Sequence, residues 1–259
     1  MTGPVEVAHE VLPGPDGSPT VVLSNSLGAT RAMWDRTVTG LQDHFTVVRY
    51  DTRGHGDSPV VPGPATIDAL ADDLRALLDR LGIARAHLVG LSLGGMTALR
   101  LAARDAERVD RMVVLFTSAR LPPASAWTDR AALVRAEGTA AVATSVVQRW
   151  YSAGFLAAEP DRVAAAEAMV AATPAEGYAA CCEAIAAMDL TADLPAITAP
   201  TLAIAGADDP ATPPSHLEAV ARSVQDGRLL VVARAAHLAS DEQPATITPA
   251  IVAHLQGET

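Results

Sequence analysis

The sequence predicts an α/β fold, with a mostly parallel sheet, helices on both faces of that sheet and a helical cap inserted into it. Three observations support this prediction. Short β-branched runs recur along the chain and alternate with helical patterns, which is typical of a parallel sheet covered on both faces. Of the 259 residues, 49% are hydrophobic, enough for a buried core without stapling. The alternation stops over about 117–195, where alanine-rich sequence with helical patterns replaces it.

Seven segments have the composition expected of strands. Each is a short run rich in aliphatic or β-branched residues and bounded by turn residues. We predict strands at Val5–Val11, Thr20–Ser24, Phe45–Tyr50, Ala86–Leu91, Val109–Phe116, Thr201–Ala205 and Arg228–Val232. In an open parallel sheet, ligands bind outside the carboxyl ends of the strands, so the residues that follow these segments are candidates for a functional site.

Helical patterns lie between most of the later strands. Over residues 67–81 the leucines repeat every three or four positions and form one apolar face, which indicates an amphipathic helix. Residues 96–104 have a helical pattern directly after the fourth predicted strand. Turn signals divide the alanine-rich region into several short helices, at 121–123, 158–160 and 172–174. We therefore predict a first part of the core, a helical cap and a second part of the core, at 1–118, 119–194 and 195–259.

Composition narrows the class of partner. Thirty acidic residues against 19 basic ones give a net charge of −11, which argues against nucleic acid or an anionic membrane as the main partner. The sequence has no apolar run long enough to span a bilayer and no signal-peptide pattern, so we expect a cytoplasmic protein. Cys181 and Cys182 are adjacent, which suits neither a structural disulfide nor a metal site. The sequence leaves the oligomeric state open.

The segment GLSLGG, residues 90–95, lies between a predicted strand and a predicted helix. Gly90 and Gly94 flank Ser92 where side chains would crowd a sharp turn, which gives the pattern G-x-S-x-G. In a nucleophile elbow this turn exposes the serine hydroxyl beside the amide donors of a helix N-terminus. A glycine turn with a helix-capping serine would use the same residue types. The strand–turn–helix context favours a catalytic serine.

A serine nucleophile needs a base, and the base needs an acid that orients it; both are expected later in the chain. His237 follows the last predicted strand, on the same sheet edge as Ser92, so we predict it to be the general base. Among the six other histidines His55 is the one rival, but it precedes the nucleophile. Asp208 and Asp209 follow the sixth predicted strand, and their positions alone do not separate them as candidates for the acid.

These segments resemble the α/β-hydrolase superfamily over nearly the whole chain. The resembling segments are 24–28, 50–58, 90–95, 200–214 and 235–244. Within the superfamily the chain resembles the 3-oxoadipate enol-lactonases of aromatic catabolism. The narrower resemblance rests on Asn25-Ser26 before Leu27-Gly28, on the sequence MWD at 33–35, and on two segments of the insertion, 148–155 and 177–190.

The resemblance implies a serine hydrolase that opens the lactone ring of 3-oxoadipate enol-lactone to give 3-oxoadipate. It places the acid three residues after Gly206, which selects Asp209, and it implies an oxyanion hole formed by the N–H groups of Leu27 and Leu93. No metal or organic cofactor is implied. The alternatives on this scaffold are another esterase, a perhydrolase, a carbon–carbon bond hydrolase or a non-hydrolytic biosynthetic protein.

A small anionic lactone or ester requires a local cation on an acidic protein. Arg149 is our candidate for this cation because a guanidinium binds carboxylates bidentately, with Trp150 as an apolar wall. Trp34, after the first loop, is a third candidate for contact with substrate. The alternative for each residue is an ordinary structural role. Arg149 would then be an exposed helical arginine, and the two tryptophans would pack in the core. Arg53 and His55 we interpret as structural residues of a polar loop.

Overall fold

A computed structural model describes residues 3–258, and within that range the sheet has seven strands. The strands are β1 (His9–Leu12), β2 (Thr20–Ser24), β3 (Thr46–Tyr50), β4 (Ala86–Leu91), β5 (Val109–Leu115), β6 (Thr201–Gly206) and β7 (Gly227–Val232). Their order across the sheet is β1-β3-β2-β4-β5-β6-β7. Only the β1–β3 pair among these is antiparallel, and the other neighbours pair in parallel. This confirms the predicted α/β architecture.

Six of the strands lie within one residue of their predicted bounds, and the first does not. The prediction was Val5–Val11, whereas β1 begins at His9. The N–H of Val5 donates to Asp73 Oδ1 (2.7 Å) and that of Ala8 to Ser58 Oγ (2.8 Å). Because side chains accept from these N–H groups, they are not used in a strand ladder, and the pairing with β3 starts later.

Eleven α-helices lie in the described part of the chain. They are α1 (Asp35–Gln42), α2 (Ile67–Arg80), α3 (Leu93–Arg104), α4 (Ala124–Glu137), α5 (Ala140–Trp150), α6 (Ala153–Ala158), α7 (Pro160–Ala171), α8 (Ala175–Ala187), α9 (Pro214–Ser223), α10 (Ala239–Glu242) and α11 (Pro244–Leu255). Helix α2 confirms the amphipathic pattern at 67–81, and its N-cap Thr66 accepts from the N–H of Ala69. None of the helices described combines the length and hydropathy that a membrane crossing requires.

Helices α4 to α8 follow one another between β5 and β6, in the region with the alanine-rich pattern. The division of the chain into core and cap stays a prediction. Strands β4 and β6 are buried at every position. Since alternate residues of a strand point to opposite faces, both faces of the central sheet are covered. The parallel strands β4, β6 and β7 therefore bring the residues that follow them to one edge of the sheet.

Candidate active site

Ser92 occupies a strained turn between β4 and α3. Its φ of +54° and ψ of −115° lie outside the regions that residues with a side chain ordinarily adopt. The turn is held by the Ser92 N–H, which donates to Leu115 O (2.9 Å), and by the Ser92 carbonyl, which accepts from Thr117 Oγ1 (2.7 Å). The Ser92 side chain makes no capping hydrogen bond to α3, so helix capping does not account for the serine. Backbone strain of this kind persists where the surroundings enforce it, and it clusters at functional sites.

The two flanking glycines permit this turn through close backbone contacts. A Cβ at Gly90 would overlap the carbonyl of Gly94, and a Cβ at Gly94 would overlap the carbonyl of Ser24. Helix α3 therefore begins in direct contact with the end of β2. This contact brings the Ser92 turn next to the loop that follows β2.

Asp209 and His237 meet after β6 and β7, on the edge of the sheet where Ser92 lies. His237 Nδ1 lies 2.8 Å from Asp209 Oδ2, and both side chains are buried. A carboxylate only accepts, so we assign the proton to Nδ1, which leaves Nε2 as the basic nitrogen. Asp208 is exposed, and the buried carboxylate is the one three residues after Gly206.

Further hydrogen bonds keep the Asp209 carboxylate ionised. Burial alone would raise its pKa, but the neighbouring His237, the Thr212 hydroxyl and the Ala211 N–H together hold that pKa below its usual range. Thr212 Oγ1 donates to Oδ2 (2.7 Å), and the Ala211 N–H donates to Oδ1 (2.8 Å). The sequence reasoning did not identify Thr212; the available signal was an Asp-x-x-Thr turn, in which the aspartate accepts from residues that follow it.

A cavity of about 210 Å³ is lined by the loop after β2, the Ser92 turn, helices α4, α5 and α8, and the turns after β6 and β7. It brings together five of the predicted site residues: Leu27, Ser92, Arg149, Trp150 and His237. Its volume is below the roughly 300–1,000 Å³ of pockets for drug-sized ligands. The cavity is therefore suited to a small substrate.

Two backbone N–H groups near Ser92 are available as donors. In the loop after β2 the Ser26 N–H donates to Met33 Sδ (3.3 Å) and the Gly28 N–H to His55 Nε2 (3.0 Å). The Leu27 N–H between them has no acceptor within residues 3–258, and neither has the Leu93 N–H in the first turn of α3. Two unpaired donors beside a serine hydroxyl can stabilise an oxyanion.

His55 supports the loop after β2 and is not placed to act as a base. The imidazole is fully buried, and its Nδ1 lies 3.2 Å from the Arg53 carbonyl, to which it donates, while Nε2 accepts from Gly28. Burial lowers the pKa of His55, which favours the neutral ring that this arrangement requires. The structural interpretation of His55 agrees with these contacts.

Trp34 lies beneath this loop and does not line the cavity. Its side chain has no exposed surface, and its indole N–H donates to Asn25 Oδ1 (2.9 Å), while Asn25 Nδ2 donates to the Tyr50 carbonyl (2.7 Å). We predicted contact with substrate and considered core packing as the alternative. The structure supports the alternative, because a tryptophan that bonds a buried asparagine fixes the path of the loop.

Arg149 lines the cavity and has no acidic partner among the described residues. Burial lowers its pKa, and the charge of Arg130 lowers it further, although an arginine stays cationic at neutral pH. Arg130 and Tyr178 line the same cavity and were missed by the sequence reasoning. Whether a residue of α4, α5 or α8 reaches the cavity depends on how these three helices pack together, and a local sequence pattern does not reveal that packing.

Three comparisons relate the chain to known proteins. The family model described as the alpha/beta hydrolase fold matches residues 19–244. The 3-oxoadipate enol-lactonase 2 of Acinetobacter baylyi is 39% identical over 91% of this chain and 88% of its own length. The crystal structure of the enol-lactonase from Burkholderia xenovorans LB400 superposes with a TM-score of 0.94, at 39% identity over 96% of each chain. RutD of Stutzerimonas stutzeri, to which carbamate hydrolase activity is ascribed, is 32% identical over 88% of each chain.

Proposed function

The chain belongs to the α/β hydrolase fold family, and from this premise we propose that it is a serine hydrolase that opens 3-oxoadipate enol-lactone to 3-oxoadipate. The observation that carries the hydrolase assignment is the buried His237–Asp209 hydrogen bond of 2.8 Å, with His237 and Ser92 lining one cavity. The lactone is supported by the names of similar proteins from Acinetobacter and Burkholderia.

Acylation in this proposal uses Ser92 as nucleophile. Its hydroxyl oxygen attacks the lactone carbonyl while His237 Nε2 takes the hydroxyl proton, and Asp209 stabilises the imidazolium that forms. The N–H groups of Leu27 and Leu93 donate to the developing oxyanion, a contribution of about 3 kcal/mol for each donor. The ring C–O bond then breaks, and His237 returns the proton to the departing enol oxygen, which leaves an acyl-enzyme.

Deacylation releases the product. The enol in the acyl group tautomerises to a ketone, which removes the hydroxyl that could close the ring again. His237 then takes a proton from a water molecule, which attacks the acyl carbon, and the serine oxygen leaves with that proton. The carboxylate formed at the acyl carbon completes 3-oxoadipate.

Two features of the cavity support a small anionic substrate. A volume of about 210 Å³ suits a small ring, and Arg149 without an acidic partner suits a substrate with a carboxylate. Hydrolysis of a carbamate is the second candidate because of the similarity to RutD. A neutral carbamate ester would leave Arg149 without an anionic partner, so we favour the lactone over carbamate esters.

The experiment measures hydrolysis of purified enol-lactone and of a neutral carbamate by the wild-type protein and by Ser92→Ala. We expect the lactone to be opened and the variant to lose on the order of 10⁴-fold or more in kcat, since binding and the oxyanion hole alone give a small residual rate. Ser223→Ala, at the end of α9 and away from the cavity, is the matched control and should keep wild-type rates. Full activity of Ser92→Ala would contradict the mechanism, and hydrolysis of the carbamate alone would contradict the substrate.

A further inference from the structure

The backbone on either side of the proposed general base is held by contacts outside regular secondary structure. His237 lies in the loop after β7, residues 233–238, which leads into α10. Within residues 235–238, two N–H groups have an acceptor in the described part of the chain, those of Ala236 and Leu238. These two residues flank His237 directly. The position of the base therefore depends on the groups that accept these two hydrogen bonds.

Both acceptors lead to the end of α5. The Leu238 N–H donates to the carbonyl of Trp150 (2.7 Å), the last residue of that helix. The Ala236 N–H donates to Glu242 Oε2 (3.4 Å). The same carboxylate accepts from the N–H of Ser152 (3.3 Å) and from its hydroxyl. Trp150 and Ser152 thus hold both neighbours of the base, one through its carbonyl and the other through the Glu242 side chain.

Tyr151 adds a third contact between the end of α5 and α10. Its phenol O–H donates to Asp241 Oδ2 (2.8 Å), and both side chains are buried. Burial and the charge of Asp241 raise the pKa of Tyr151, so the phenol stays protonated and can donate. Arg162 on α7 pairs with the other oxygen of the carboxylate, and the Tyr151 ring stacks on Phe155 with centroids 4.5 Å apart. Both partners of this hydrogen bond are therefore held in place by a second contact.

We propose that Tyr151 and Ser152 are positioning residues, which hold the loop after β7 so that the imidazole of His237 stays aligned for proton transfer. This inference rests on the proposed function, because the alignment affects turnover only if His237 takes the proton of Ser92. Neither Tyr151 nor Ser152 lines the cavity, so each acts through α10 and not on the substrate. Misplacing a reacting group by about 1 Å through a change away from the chemistry can lower a rate about 100-fold.

The last turn of α5 also contributes Arg149 and Trp150 to the cavity. These two side chains stay on the helix when a hydrogen bond from Tyr151 or Ser152 to α10 is removed. Loss of such a bond should therefore lower turnover more than it weakens substrate binding. Acylation and deacylation both use the base, so kcat should fall whichever step limits the rate.

The test measures hydrolysis of para-nitrophenyl acetate by Tyr151→Phe and Ser152→Ala. Each variant loses one hydroxyl, and a phenylalanine ring can still stack on Phe155. We expect kcat to fall about threefold to thirtyfold in each variant, while KM stays within about twofold of the wild-type value. Ser145→Ala is the matched control and should keep the wild-type kcat, because Ser145 lies on α5 and donates to the Val142 carbonyl of its own helix (3.0 Å).

Two further variants separate the contact with Glu242 from helix capping, since Ser152 Oγ also accepts from the Phe155 N–H at the start of α6 (3.3 Å). Ser152→Thr keeps the hydroxyl and should keep kcat near the wild-type value. Ser152→Asp keeps an acceptor for the cap but repels Glu242, so it should lower kcat as Ser152→Ala does. A wild-type kcat in Ser152→Asp would overturn the positioning role of Ser152.

Hydrogen exchange separates failure of this inference from failure of the proposed function, because it needs no turnover. We expect amide exchange in a peptide covering residues 233–243 to become about threefold faster or more in Tyr151→Phe and Ser152→Ala, and to stay unchanged in Ser145→Ala. Unchanged exchange in the first two variants would overturn the positioning role even if the ester is hydrolysed. Faster exchange with an unchanged kcat would also overturn it. Faster exchange in a protein that hydrolyses no ester would support the hold on the loop and contradict the hydrolase.

Discussion

At the scale of single residues, burial separates neighbours that the sequence pattern leaves equivalent. Asp208 and Asp209 are adjacent acids after one strand, yet one is exposed and the other is buried against His237. Resemblance to a family selected Asp209, and the structure supplies the physical reason. The polar contacts of the Asp209 carboxylate are made by Ala211, Thr212 and His237, so the turn after β6 and the loop after β7 together hold it in place.

Replacing each aspartate by asparagine tests this assignment. Asp209→Asn should fold and lose on the order of 10³–10⁴-fold in kcat, since an amide does not hold the imidazole tautomer that accepts the serine proton. Asp208→Asn is the matched control and should stay near the wild-type rate. Steady-state kinetics on one ester, with melting temperatures of both variants, makes the comparison. The reverse result would mean that the acid lies one residue earlier.

At the scale of elements, patterns along the chain predicted most of the architecture. Alternating runs gave six strands within one residue, because buried parallel strands and amphipathic helices have distinct periods. The strand prediction was wrong at Val5–Val11, where the side chains of Asp73 and Ser58 accept from backbone N–H groups. The patterns also did not decide whether Trp34 contacts substrate or packs in the core, where it donates to Asn25. Those outcomes depend on contacts between segments far apart in the sequence.

His55, which accepts from the loop after β2, gives the stability of the protein a pH dependence that can be measured. The pKa of His55 is lowered by burial in the folded protein, while unfolded histidine has a pKa of about 6.5. As pH falls below about 6.5, the unfolded state takes up this proton first. The free energy of unfolding should therefore decrease, by at most about 1.4 kcal/mol per pH unit for this group, until the folded pKa is reached.

Urea unfolding at pH 7.5 and pH 5.5 measures this effect in the wild-type protein and in His55→Gln. Glutamine does not titrate, and its amide oxygen can accept from the Gly28 N–H in place of Nε2. We expect the wild-type protein to lose more free energy of unfolding between the two pH values than the variant loses. Equal losses would show that His55 does not contribute.

At the scale of the whole molecule, the cavity is formed where the sheet edge meets the helices between β5 and β6. The sheet edge contributes Ser92 and His237, which the sequence predicted because they follow strands in a known order. The helices contribute Arg130, Arg149 and Tyr178, and only Arg149 was predicted. Strand ends are set by local patterns, whereas the way three helices face the cavity is set by tertiary packing. The cavity residues from the helices were therefore harder to predict than those from the sheet edge.

If Ser92 is the nucleophile of a serine hydrolase, a fluorophosphonate should label it covalently. Such reagents react with a serine hydroxyl activated by a neighbouring base, and mass spectrometry of a digest identifies the modified residue. We expect one adduct, on Ser92, that is absent from Ser92→Ala and strongly reduced in His237→Ala. An active protein in which Ser92 stays unmodified, or in which the label is found on another serine, would show that Ser92 is not the nucleophile.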